Sequence, residues 1–257
     1  MTPAHPLPPP PALERDWALF LDVDGSLIDF ADRPEAVTMP TGLLDTLDRL
    51  HRSLDGALAL VSGRPLAQID ALFAPLHLPA VGLHGLEHRD HQTDPDPSAV
   101  ELPLLARIRD AASAVAGAFP GAWVEDKGRT LALHWRNAPA AETALSVFAR
   151  DALDALPGYR LQPGHDVLEL RPDGHDKGSA IAHLLTTTPF AGRRPVFAGD
   201  DLTDEYGFVT VNARSGLSIL IGQRQPSHAR ATLADPAALR GWLQRSAMRL
   251  STNEVTA

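Results

Sequence analysis

Four short polar clusters in this chain have residue types and spacings that could do chemistry. Asp22-Val23-Asp24-Gly25-Ser26 sets two carboxylates two positions apart, next to a glycine and a hydroxyl. Ser62-Gly63-Arg64 offers a hydroxyl, a flexible backbone and a cation. Lys177 follows Asp176, and Gly199-Asp200-Asp201-Leu202-Thr203-Asp204-Glu205 is dense in acids. Read together, they describe a phosphoryl-transfer site. Asp22 and Asp200 offer hard oxygen ligands suited to magnesium. A carboxylate attacking a phosphate dianion meets like-charge repulsion, which a bound metal offsets. Asp22 is then a nucleophile that forms an aspartyl-phosphate. Asp24 protonates the leaving alkoxide and later activates water. Lys177, Ser62 and Gly63 stabilise the phosphoryl oxygens.

Each cluster also has a plain reading. Asp-x-Asp-Gly favours turns whatever its function. Ser62-Gly63 suits a turn or a helix cap, and acids suit the first turn of a helix. His84 and His88 stand four apart, but Gly82 and Gly85 argue against the helix that a zinc pair would need. A serine hydrolase centred on Ser62 fails, because Leu60 stands where the nucleophile elbow needs glycine. No G-x-x-x-x-G-K-[ST] run is present, which excludes a P-loop kinase. A receiver domain shares the acids and the lysine but is shorter than this chain. A catalytically silent sugar-phosphate sensor is the remaining rival, and intact Asp22, Asp24, Lys177 and Asp200 count against it.

The elements that must position these clusters read as strands feeding loops. Trp17–Val23 is an apolar run ending in acid and glycine. Leu43, Leu44, Leu47 and Leu50 recur at helical spacing. Ala57–Val61 reads as a strand, Leu66, Ile69, Leu72 and Phe73 as a helix face, and Ala80–Leu83 as a third strand. That alternation is the pattern of a parallel sheet with crossover helices. His88–Pro97 and Arg171–Asp176 read as polar, proline-bearing hinges around an insertion of roughly 80 residues, an ordinary domain size. Within it, a helix at Leu104–Phe119, strands near Trp123–Asp126 and Thr130–Arg136, a helix through Leu145–Leu156, and strands at Tyr159–Gln162 and Val167–Leu170 suggest a small open-faced α/β sandwich. The wound pattern then resumes with a helix at Ile181–Leu185, strands at Pro195–Ala198 and Leu217–Ile221, and a last helix carrying Leu239, Trp242, Leu243 and Leu250. The expected fold is α/β: a Rossmann-like wound core over 15–90 and 172–250, with an inserted cap over 91–171. A proline-rich leader, 1–14, is expected to be disordered and a tail, 251–257, flexible.

Composition narrows the function. The 257 residues are 44% hydrophobic and 21% charged, enough for a sizeable core. Lys and Arg number 23 against 32 acids, for a net charge of −9, which opposes a nucleic-acid or anionic-membrane partner. With no cysteine, disulfides and thiolate chemistry are excluded. No membrane span or signal peptide is evident, so a cytoplasmic monomer acting on a small molecule is expected.

DVDGSL, SGR, DKGSA and GDDLTDE, in this order, resemble the four motifs of haloacid dehalogenase superfamily phosphatases, and the insertion stands where that superfamily carries its larger cap. GLHGLEHR, VEDKG, LALHWR, DVLELRP and GDDLTDE more narrowly resemble the trehalose-6-phosphate phosphatases, from Trp17 to the last helix. Those enzymes usually read DGT where this chain reads DGS, a change that keeps the hydroxyl at Ser26. The resemblance implies magnesium-dependent hydrolysis of trehalose 6-phosphate, the last step of trehalose biosynthesis. The alternative is another sugar phosphate, such as sucrose or mannosylglycerate phosphate. It also implies magnesium on the Asp22 carboxylate, the Asp24 carbonyl and Asp200, with Asp201 and Asp204 behind them. Sugar contacts would come from Glu125, Lys127, Glu169, His134, Arg136, Arg64 and His84.

Overall fold

In the computed structural model, residues 7–29, 37–89 and 103–252 are described. The chain divides into two compact units, one of residues 1–95 with 176–257 and one of residues 96–175.

The first unit begins with β1 (Trp17–Leu21), α1 (Leu43–Ser53), β2 (Leu58–Val61), α2 (Leu66–Phe73), β3 (Ala80–Gly82) and β4 (Glu87–Arg89). WALFL and LALV form strands because a parallel sheet covered by helices buries both faces, which suits unbroken apolar runs. α1 turns Leu43, Leu47 and Leu50 inward at the spacing of one helical face.

The second unit holds α3 (Pro103–Gly117), β5 (Trp123–Asp126), β6 (Leu131–His134), α4 (Glu142–Leu153), β7 (Tyr159–Gly164) and β8 (Val167–Pro172). Its four strands are antiparallel, in the order β5-β6-β8-β7. Ile108, Ala112, Leu145 and Ala149 from the helices share its apolar core with Leu131, Leu133 and Leu170 from the strands.

The first unit resumes with α5 (Lys177–Leu184), β9 (Arg194–Gly199), α6 (Asp204–Asn212), β10 (Leu217–Ile221), β11 (Ala231–Leu233) and α7 (Pro236–Thr252). Its sheet runs β11-β10-β9-β1-β2-β3-β4, parallel except for β4. β1 therefore lies between β2 and β9, and the carboxyl ends of all three open on one edge. That is the edge where wound sheets bind ligands. No helix among the described residues is long and apolar enough to cross a membrane.

The structure corrects some expectations. Residues 7–14 of the proline-rich leader lie against the core rather than in disorder. Leu13 is fully buried, the Pro8 carbonyl accepts from Thr232 N at 3.0 Å, and the Pro11 carbonyl accepts from Trp242 Nε1 at 2.9 Å. Extended proline-rich chain makes no internal hydrogen bonds, so its carbonyls are available to such partners. His88 and Arg89, read as hinge, belong to β4, and the rest of that expected hinge lies outside the described residues. Arg171 is a buried strand residue of β8, not a hinge. Of the expected tail, Ser251 and Thr252 extend α7, and residues 253–257 lie outside the described residues.

Candidate active site

β1 ends at Leu21, and Asp22 is the first residue past it, its N–H donating to the Ala198 carbonyl of β9 at 2.9 Å. Its side chain is almost fully buried. Lys177, the first residue of α5, reaches it: Nζ lies 2.6 Å from Asp22 Oδ1 and 2.7 Å from Asp204 Oδ1. The start of α5 is held by a capping box, in which Asp176 accepts from Ser179 N at 2.7 Å and Ser179 Oγ accepts from Asp176 N at 3.0 Å. The lysine is thus delivered from a fixed helix end.

Asp204 is fully buried and serves as a hub. Its Oδ2 accepts from the backbone N–H groups of Asp200 and Asp201, each at 2.9 Å. Gly199 makes this possible, because a Cβ there would stand 2.3 Å from Asp204 Cγ. Sequence reading placed Asp204 behind the metal ligands, yet it joins Asp22 and Asp200 at the centre. One carboxylate oxygen from each of the three lies within 4.8 Å of the others.

Ser26 Oγ bridges the remaining acids, 3.0 Å from Asp22 Oδ2 and 3.0 Å from Asp200 Oδ1. A hydroxyl donates only one proton, so it serves one carboxylate at a time. Three carboxylates thus face one ammonium, which leaves an excess of buried negative charge. Burial, then the charge of Asp204, pushes the Asp200 carboxyl up to about 7. Burial is also the main cause raising Asp22 well above its ordinary value, against the pull of Lys177. Burial alone would lower the Lys177 ammonium, but the charges of Asp204 and Asp22 outweigh it and raise it. Closely spaced hard oxygens with surplus negative charge fit a divalent cation.

Asp24 lies two residues beyond Asp22, and Arg64 grips it bidentately, with Nε 2.8 Å from Oδ2 and Nη2 2.6 Å from Oδ1. Arg64, expected among the substrate contacts, spends both of these nitrogens on Asp24. Ser62 is the first residue past β2, is buried, and its Oγ accepts from Arg64 N at 3.1 Å. Gly63 gives room to the ring of His84, since a Cβ there would meet His84 Nε2 at 2.4 Å. His84 itself adopts φ +52° in a short turn, which disposes of the helical zinc pair with His88.

The second unit gathers its own cluster. Lys127 Nζ is 3.8 Å from Glu125 Oε2 and 3.6 Å from Glu169 Oε1. His134 Nε2 donates to Glu125 at 3.1 Å, and its ring stacks on Trp123 with centroids 4.2 Å apart. The register explains the grouping: Glu125 and Glu169 both pair with Ala132, from opposite sides of β6. Thr130, which sequence reading did not single out, donates to Glu169 Oε1 at 2.7 Å. Arg136 is placed differently, with Asp166 4.0 Å from its Nε.

Residues 20–237 match the family model described as trehalose-phosphatase. The chain belongs to the trehalose-phosphatase family. Among members of this family, it is 44% identical over 231 residues to a probable trehalose-phosphate phosphatase of Sinorhizobium fredii (strain NBRC 101917 / NGR234), covering 88% of this chain and 86% of the relative. It is 43% identical over 220 residues to trehalose-6-phosphate phosphatase of Escherichia coli (strain K12), covering 85% and 82%. The fold is shared with the C-terminal domain of C. albicans trehalose-6-phosphate phosphatase, with a TM-score of 0.78 at 22% identity over 93% of this chain and 98% of that one. A solved trehalose-6-phosphate phosphatase related protein gives a TM-score of 0.75 at 26% identity, covering 91% and 99%. Family membership makes the chain a phosphatase with the wound α/β fold expected of it.

Proposed function

We propose that this trehalose-phosphatase family member hydrolyses trehalose 6-phosphate to trehalose and phosphate, with magnesium as its metal. The observation that carries the chemistry is the buried Asp22–Lys177–Asp204 arrangement beside Asp200. The sugar assignment rests on relatives at 43–44% identity that are named for this substrate.

Magnesium would be held by the carboxylates of Asp22 and Asp200 and the Asp24 carbonyl, with Asp201 and Asp204 supporting them. When bound, it supplies the positive charge that offsets repulsion between carboxylate and phosphate. The chain's own residues do the rest. Asp22 attacks phosphorus, the bond from phosphorus to the sugar oxygen breaks, and an aspartyl-phosphate forms. Asp24 gives its proton to the departing alkoxide, then takes one from the water that attacks phosphorus. The bond from Asp22 to phosphorus breaks, phosphate leaves and the carboxylate returns. Each Asp24 oxygen accepts one bond from Arg64 and keeps a further lone pair, so the clamp orients the carboxyl while leaving it a site for the proton it must give. Lys177, Ser62 and Gly63 bind the phosphoryl oxygens.

The second unit is read as the specificity cap, with Glu125, Lys127, Glu169 and His134 offering hydrogen bonds to the neutral sugar. The test is phosphate release from a panel of trehalose 6-phosphate, sucrose phosphate, mannosylglycerate phosphate and glucose 6-phosphate, with magnesium and with EDTA. Selective, EDTA-sensitive release from trehalose 6-phosphate is expected. Equal release from glucose 6-phosphate contradicts the assignment.

A further inference from the structure

We infer that Arg224 and Glu205 are positioning residues for the metal-binding loop, an inference that builds on the magnesium reading above. Arg224 lies past the end of β10, and its guanidinium folds back onto the loop that carries Asp200. Nε donates to the Asp200 carbonyl at 3.3 Å, and Nη2 donates to the Asp201 carbonyl at 3.1 Å. Nη2 also pairs with Glu205 Oε1, and Nη1 donates to the Pro226 carbonyl at 3.1 Å. Glu205 anchors the other side: its Oε2 accepts from His228 N at 2.8 Å and faces His228 Nδ1 at 2.9 Å.

The Asp200 and Asp201 peptides are thereby held from two directions. Asp204 takes their N–H groups from inside the site, and Arg224 takes their carbonyls from outside. Asp200 is partly exposed and follows the buried Gly199, so its carboxylate direction depends on how rigidly these two peptides are held. Arg224 suits the task because a planar guanidinium serves several fixed acceptors at once, whereas an ammonium is a single rotating point charge. Neither Arg224 nor Glu205 need touch the substrate, since partners behind a ligand tune metal affinity through orientation, typically by 10–100-fold.

The experiment titrates magnesium into Arg224→Ala, Arg224→Lys, Glu205→Gln and the unmodified protein, with two readouts: the rise in melting temperature without substrate, and phosphate release from p-nitrophenyl phosphate. The expected result is half-saturation shifted to about 10–100-fold higher magnesium in Arg224→Ala. Arg224→Lys and Glu205→Gln should show smaller shifts in the same direction, and all three should recover turnover at saturating magnesium. Unchanged half-saturation in the folded variants overturns the inference. If Arg224→Ala does not fold, Arg224→Lys and Glu205→Gln decide by the same criterion. An unmodified protein that hydrolyses phosphate esters with no magnesium response overturns the metal reading itself, and the inference with it.

Discussion

Lys177 and Asp204, 27 positions apart, form a fully enclosed ion pair at 2.7 Å, and Asp204 uses its second oxygen to hold the Asp200 and Asp201 backbone. One lysine therefore both offsets part of the negative charge beside Asp22 and, through Asp204, anchors the loop that carries Asp200 and Asp201. Removing a partner from a buried pair leaves uncompensated charge, at a cost of about 3–5 kcal/mol. Lys177→Ala is accordingly expected to lower stability in EDTA by about that much, as measured by urea unfolding. A change below about 1 kcal/mol, the range of exposed pairs, would show that the lysine bears little on the fold.

Asp24 is expected to matter in proportion to how poor the leaving group is. Asp24→Asn should slow hydrolysis of trehalose 6-phosphate much more than that of p-nitrophenyl phosphate, because a nitrophenolate departs without a proton. Equal losses on both substrates would instead mean that Asp24, through Arg64, mainly shapes the site.

The cluster of the second unit is expected to serve recognition and not chemistry. A hydrogen bond to a charged group contributes roughly 1.5–3 kcal/mol, or one to two decades in kcat/KM. Glu125→Ala, Lys127→Ala and Glu169→Ala should each lower kcat/KM for trehalose 6-phosphate by about 10–100-fold while leaving p-nitrophenyl phosphate nearly untouched. Parallel losses on both substrates contradict a role in recognition.

Glu125 also gives a pH signature. Burial alone would raise its carboxyl, but the hydrogen bond from His134 and the charge of Lys127 hold it below its ordinary 4.5. A carboxyl lowered in the folded state contributes stability above its unfolded value and loses it as pH falls through the folded one. The stability deficit of Glu125→Gln should therefore be full at neutral pH and shrink below 4.5. Urea midpoints compared at pH 7 and in acid measure it, and a deficit that does not change with pH contradicts this electrostatic account.

The central strands were legible because burial on both faces leaves unbroken apolar runs such as WALFL and LSILI. β4 was not, since Glu87-His88-Arg89 contains no apolar residue and is a strand only through its pairing with β3. β11, three residues long, shows too little alternation to stand out. Asp22, Lys177 and Asp200 stood out because each lies in a short, dense motif, Asp22 and Asp200 just past a strand and Lys177 at the start of a helix. Arg224 could not, because its partners Asp200, Asp201 and Glu205 lie 19–24 positions earlier, and only folding brings the two loops together. Thr130 escaped for the same reason, 39 positions from Glu169.

Central to the proposed function is Asp22 as the nucleophile of a metal-assisted phosphatase. Its most direct test is steady-state phosphate release from trehalose 6-phosphate by Asp22→Asn at saturating magnesium, with folding checked by its melting curve. An amide is a poor nucleophile, so a folded variant with essentially no turnover is the predicted result. A folded Asp22→Asn enzyme that releases phosphate at the rate of the unmodified protein would contradict it.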